Sequence, residues 1–153
     1  MKYDIKYAVV DIDGTIAKVG DRVKYLKQEP KDHDSFYEAV GEDEPIQNII
    51  DLIDTIKERY GIIFLTGRRE EVRDKTIAWL DEHFPTILDY KLLMRPIGDR
   101  SHDRELKPKL LKSLESKGIR EEDIAIIFED RNSVVNKWRK LGFTCLQVAE
   151  GKF

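Results

Sequence analysis

The segment Asp11-Ile12-Asp13-Gly14-Thr15 sets two carboxylates two positions apart, beside a glycine and a hydroxyl, directly after the apolar run Tyr7-Ala8-Val9-Val10. A D-x-D-G-T pattern arises by chance in a chain of this size with a probability on the order of 10⁻³. In extended backbone, residues two apart face the same way, which brings the carboxylates within about 7 Å. At an effective dielectric of 20 they repel by about 2 kcal/mol. A cation or a proton relieves that repulsion. Mg²⁺ takes one or two carboxylates plus phosphate oxygens, and a carboxylic acid beside another carboxylate is a general acid with a raised pKa. One aspartate can then attack while its neighbour donates. An EF-hand loop needs glycine sixth and glutamate twelfth, whereas Gly14 stands fourth and Arg22 twelfth. A glycosidase pair would leave the features that follow without a purpose.

Three further features sit at comparable places. Leu65-Thr66-Gly67-Arg68-Arg69 ends an apolar run where a helix is expected to begin, so a hydroxyl, backbone N–H groups, a helix dipole and two guanidiniums can hold a phosphate. Lys107 precedes Pro108, which suits a first helical position and puts an ammonium at a helix entrance. Glu129 and Asp130 follow the apolar run Ala125-Ile126-Ile127-Phe128 and precede another helix. Singly these are weak signals: lysines begin many helices, and acids cap them. Placement decides, because ligands gather beyond the carboxyl ends of parallel strands, and Asp11, Asp13, Thr66 and Asp130 lie there on three different strands.

The elements that must position these residues are legible as alternation. Residues 7–11, 62–65 and 124–128 are unalternating apolar runs, the pattern of strands buried on both faces, and 90–94 and 143–148 are shorter strands. Ile46, Ile49, Ile50, Ile53 and Ile56 recur at helical spacing after Pro45, and further helices are expected over 70–83, 108–117 and 134–141. Strands alternating with helices predict a Rossmann-like α/β fold, a parallel sheet with helices on both faces. Residues 17–44 carry Lys18, Arg22, Lys24, Lys27 and Lys31 and show no clear pattern. A minimal cap or flap over the site is one reading of them; composition alone favours a solvated loop.

A length of 153 residues predicts a single domain, 1–153, with one core. The longest apolar runs are four or five residues, against the roughly 20 that cross a bilayer, which excludes a membrane span, and a charged share of 37% calls for a heavily charged exterior. The start, Met1 to Val10, lacks a signal-peptide layout, and a cytoplasmic location is expected. A net charge of −3 provides no global field for a polyanion, so any nucleic-acid contact is local. Cys145 is read as a small core residue; His33, His83 and His102 lack metal-ligand spacing; Trp79 and Trp138 fall in core phase. Tyr25, Phe36 and Tyr37 are the candidates for base stacking.

With Asp11 to Thr15, Thr66, Lys107 and Glu129-Asp130 in this order, the chain resembles the haloacid-dehalogenase-type phosphatases. With Arg22, T-G-R, G-D-R-S-H-D-R-E-L-K and the tail from Asp130 onward, it looks like the 3'-phosphatase domain of phage-type polynucleotide kinases. The resemblance implies Asp11 as the nucleophile that forms an aspartyl-phosphate and Asp13 as general acid and base. It implies Mg²⁺ held by Asp11, Asp130 and the backbone carbonyl of Asp13, and phosphoryl oxygens held by Thr66 and Lys107, with Glu129 orienting Lys107. Thr15, Arg22, Gly67, Arg68, Asp103 and Glu129 are the accompanying substrate-side positions. Glu129 stands where that group usually has aspartate. The companion kinase motif G-x-x-x-x-G-K-[ST] is absent from this sequence, which leaves a separate kinase or ligase partner as an expectation.

About thirty residues separate the first motif from the first long helix, too few for a large cap, so an open site is expected. Lys18, Arg22, Lys24, Arg68, Arg95, Arg100 and Arg104 are candidate contacts to a polymer backbone. Removal of a terminal 3'-phosphate from DNA or RNA is the leading reading. A small phosphate ester such as a mononucleotide is the second. A phosphoreceiver module is the third, disfavoured because it has no use for an acid at Asp13.

Overall fold

The computed structural model describes residues 4–153; Met1 to Tyr3, the first part of the segment read for a leader, lie outside the described residues. Five strands, β1 (Tyr7–Val10), β2 (Gly61–Arg69), β3 (Tyr90–Arg95), β4 (Ile124–Arg131) and β5 (Cys145–Gly151), form one sheet in the order β3-β2-β1-β4-β5. All four pairings are parallel. The register of β1 puts Val10 opposite Phe64 on one side and Phe128 on the other, so its carboxyl end opens between those of β2 and β4.

Every strand residue near the centre is apolar because both faces are covered. Ala8, Val10, Ile62 and Phe64 pack with Ile50 and Ile53 of α3 (Gln47–Ile56) and with Trp79 and Leu80 of α4 (Arg73–His83). Val9, Ile63, Leu65 and Ile127 face Leu111 of α5 (Asp103–Lys112) and Val134, Val135 and Trp138 of α6 (Asn132–Lys140). Each such side chain stabilises the fold by roughly 1.5–3 kcal/mol when fully buried. Both tryptophans and Cys145 are core residues. Among the described residues, no helix is long and apolar enough to cross a membrane.

Four local expectations are corrected. Residues 17–44 are not a solvated loop: they hold α1 (Lys24–Lys27), α2 (His33–Glu38) and the 3-10 turns Gly20–Val23 and Ala39–Glu42, and Arg22, Val40 and Asp43 are buried. Strand β1 stops at Val10, one residue short of the expected end, so Asp11 and Asp13 lie beyond the ladder and not within it. No helix begins at Thr66. Strand β2 continues to Arg69, with a register shift after Leu65, and α4 follows only after the turn Glu70–Val72, so its dipole is not available to a phosphate at Thr66. Helix α5 starts at Asp103, not Pro108. His102 accepts the Arg104 N–H at 3.2 Å and caps the helix. Pro108 then falls inside it and leaves one backbone bond unmade, while Lys107 sits in the second turn, four residues on from Asp103.

Candidate active site

Asp11 leaves the end of β1 with its N–H bonded to the Phe128 carbonyl, 3.0 Å away on β4. Its Oδ1 accepts from Lys107 Nζ at 2.7 Å and its Oδ2 from the Thr15 hydroxyl at 2.9 Å. The same Lys107 ammonium donates to Glu129 Oε2 at 2.7 Å. Glu129 Oε1 accepts the backbone N–H groups of Asp130 and Arg131, which ties the lysine's orientation to the end of β4. Asp130 reaches back toward the first motif. The Thr15 hydroxyl lies 3.5 Å from Asp130 Oδ1, and Gly14, at φ +82°, lies so near the Asp130 carboxylate that any Cβ there would overlap it. Only glycine meets both conditions at once.

Burial pushes the Asp11 carboxyl up to about 8, the neighbouring charge of Glu129 adding to it and Lys107 opposing it. Burial, with Asp11 next to it, pushes Asp130 up to about 7. Lys107 is held charged because Asp11 and Glu129 outweigh its loss of hydration.

The Asp13 carboxylate turns elsewhere. Its Oδ1 accepts from Arg22 Nη2 at 2.5 Å and Arg68 Nη2 at 2.8 Å, and its Oδ2 from Arg68 Nε at 3.2 Å. Burial raises its pKa, but Arg68 and Arg22 outweigh burial and hold the group below its ordinary value. The neighbour with an elevated pKa is therefore Asp11, not Asp13, because each carboxylate meets different cations. Asp13 is also the accessible one, its side chain 25% exposed against 6% for Asp11.

Arg22 and Arg68 are buried ends of this network, not free guanidiniums facing a polymer, and Arg95 is buried as well. Lys18, Lys24, Arg100 and Arg104 remain exposed. Asp103 makes ion pairs with Arg95 and Arg131 and packs against Gly67, where a Cβ would come 2.6 Å from its Oδ1. It shapes the T-G-R turn from behind. Thr66 is fully buried, its oxygen accepting the Arg68 N–H at 3.1 Å. Tyr25 lies under the Lys24 ammonium, Phe36 under the Arg22 guanidinium and Tyr37 under that of Arg69, so all three rings proposed for base stacking have cation partners within the protein. Sequence reasoning missed Asp43, which bonds both Arg22 and Arg68. Nothing local separates it from its neighbours Glu42 and Glu44.

One oxygen each from Asp11, Glu129 and Asp130 lies within 4.8 Å of the others. Glu129 is committed to Lys107 and to backbone N–H groups, which leaves Asp11 and Asp130 with free lone pairs. The Asp13 carboxylate lies outside this group, so its candidate contribution to a metal is the main-chain carbonyl alone. Across the whole cluster the five carboxylates of Asp11, Asp13, Asp43, Glu129 and Asp130 meet three cations, Arg22, Arg68 and Lys107. With all five ionised the cluster has an excess of two negative charges, and that charge and the all-oxygen donor set fit one hard divalent cation, which would take the place of the protons that the raised Asp11 and Asp130 pKa values favour.

The five-stranded parallel sheet with helices on both faces, carrying Asp11 at the end of its central strand, is a haloacid-dehalogenase-type fold. A haloacid dehalogenase-like hydrolase of Streptococcus pneumoniae has this fold, with a TM-score of 0.64 at 15% identity over 94% of this chain and 84% of that one. More narrowly, the family model for the polynucleotide kinase PNKP phosphatase domain matches residues 5–153, and the chain belongs to that family. It is 31% identical over 134 residues to a protein of Autographa californica nuclear polyhedrosis virus named as a bifunctional polynucleotide kinase/RNA ligase, covering 86% of this chain and 17% of that protein. A chain in the structure of the Pnkp1/Rnl/Hen1 RNA repair complex superposes with a TM-score of 0.77 at 28% identity, over 97% of this chain and 44% of that one. The present chain thus spans less than half the length of both of these longer relatives.

Proposed function

We propose that this chain removes terminal 3'-phosphate groups from DNA or RNA, with Asp11 as the nucleophile and residues 1–153 acting as one phosphatase domain. The observation that carries this reading is the pairing of a buried Asp11, held by Lys107, with a second, more exposed aspartate that is held by two arginines. Asp13, ionised in the free protein, takes a proton from the phosphate monoanion as the ester binds; Asp11 attacks phosphorus, the bond to the 3'-oxygen breaks, and Asp13 passes that proton to the leaving oxygen. Asp13 then takes a proton from the water that opens the aspartyl-phosphate and returns it to the released phosphate, so both side chains end as they began. Lys107 and Thr66 hold the phosphoryl oxygens where charge spreads in the transition state, and Glu129 keeps Lys107 aimed. Mg²⁺, held by Asp11, Asp130 and the Asp13 carbonyl, would neutralise phosphate charge when bound.

Exposed Lys18, Lys24, Arg100 and Arg104 suit the backbone of a polymer end. The names of the longer relatives support cooperation with a kinase or ligase. Turnover of matched 3'-phosphorylated oligonucleotide, 5'-phosphorylated oligonucleotide and mononucleotide tests the reading. The highest kcat/KM is expected with the 3'-phosphate. Equal or faster turnover of free mononucleotides would replace it with a small-molecule phosphomonoesterase, and a phosphoprotein lasting for minutes would replace it with a phosphoreceiver.

A further inference from the structure

We infer that Asp43 is a positioning residue for Asp13, acting through Arg22 and Arg68; this rests on the general acid and base role proposed above for Asp13. Asp43 accepts from Arg22 Nε at 2.8 Å on Oδ1, and on Oδ2 from Arg22 Nη2 at 2.8 Å and Arg68 Nη2 at 2.9 Å. The same two Nη2 atoms donate to Asp13 Oδ1. Two carboxylates and two guanidiniums therefore alternate around a closed ring.

A guanidinium on a flexible stem can meet a single carboxylate in several geometries; a side-on pair of bonds through Nε and Nη2 leaves one. Asp43 supplies that pair to Arg22 and fixes which hydrogen of each Nη2 is left for Asp13. Its own position is set from the core. Its side chain is 4% exposed, and its backbone carbonyl accepts the Trp79 indole N–H at 2.7 Å. Trp79 is buried on α4, and Thr76, one turn earlier, accepts from Arg68 Nη1 at 3.3 Å. Order passes from the packed helix to Asp43, from Asp43 to the two guanidiniums, and from them to the carboxylate that moves protons. Asp43 closes the segment 17–44, so this contact also docks the cap against the sheet.

The test is a double-mutant cycle on a 3'-phosphorylated oligonucleotide with Mg²⁺ present, using Asp43→Asn, Asp13→Asn and the double variant, with thermal melting of each. Asp43→Glu is run in parallel; it keeps the charge but displaces it by one methylene. Asp43→Asn is expected to lower kcat by about 10- to 100-fold, part of the 10²–10⁴ that acid–base catalysis supplies, with KM within about threefold, and to cost nothing further in the Asp13→Asn background. Asp43→Glu is expected to lower kcat less, with KM again little changed. Full kcat in either folded Asp43 variant overturns the inference. So does a loss carried undiminished into the Asp13→Asn background, or a loss confined to KM. If Asp13→Asn alone is fully active, the underlying role of Asp13 fails instead, a result the single variant reports separately.

Discussion

The Lys107 ammonium lies 2.7 Å from Oδ1 of Asp11, a residue 96 positions away in the chain, and both groups are buried. This contact offsets the charge of the proposed nucleophile through one oxygen and leaves the other, which accepts from the Thr15 hydroxyl, for the attack proposed above. Lys107 also bonds Glu129, so its removal strands two buried carboxylates at once. Lys107→Ala is expected to lower kcat at least about 10²-fold, as loss of a transition-state donor does, and to destabilise the protein by roughly 3–5 kcal/mol. Steady-state kinetics and urea denaturation measure the two losses.

Asp11→Asn removes the proposed nucleophile but keeps the shape of the side chain. Mg²⁺-dependent phosphate release is expected to fall to background, with a cooperative melt retained, since the surrounding core is untouched. Turnover surviving in this variant would move the nucleophile elsewhere. Asp13→Asn is expected to slow release by at least about 10²-fold, because neither the leaving oxygen nor the water is then served.

Gly14→Ala forces a side chain into a left-handed backbone and against the Asp130 carboxylate. The backbone alone costs roughly 1–2 kcal/mol, and displacement of Asp130 is expected to weaken the response to Mg²⁺. Titration of activity with Mg²⁺ should show a higher half-saturating concentration than in the wild type.

Asp11 and Asp130 carry folded-state pKa values of about 8 and about 7, against an ordinary value of 3.8. Between those limits the folded protein binds more protons than the unfolded chain, so the contribution of these two groups to stability falls as pH rises from about 4 to 8. Asp13, held below its ordinary value by its arginines, acts in the opposite sense: its contribution is present above pH 3.8 and lost as pH falls through its folded value. A divalent cation competes with the protons on Asp11 and Asp130. The rise in Tm on adding Mg²⁺ is expected to be larger at pH 8 than at pH 5.5; calorimetry at both values checks it.

What could be read from the chain alone was what local pattern encodes. The runs around Val9, Ile63 and Ile127 declare strands buried on both faces, and the spacing of Ile46 to Ile56 declares α3. The chemistry-bearing acids were legible because they interrupt those runs. Residues 17–44 were not, because what buries Arg22 and Asp43 is pairing with Asp13 and Arg68, and no local periodicity records a partner dozens of residues away. The burial of Arg68 was hidden for the same reason: as a residue type it suits a phosphate as well as a buried carboxylate. The start of α5 was misplaced because Pro108 is a strong signal for a first turn, while the actual cap, His102, is an unusual one.

The bonds that assemble the site join distant stretches of sequence: Arg68 to Asp13 across 55 residues, Lys107 to Asp11 across 96, Thr15 to Asp130 across 115. No contiguous fragment ending before β4 brings Asp130 to Asp11. A cut that removes the stretch carrying Asp130 is consequently expected to abolish phosphate release outright instead of leaving a weaker catalyst, because no residue nearer in sequence to Asp11 replaces that carboxylate in the cluster.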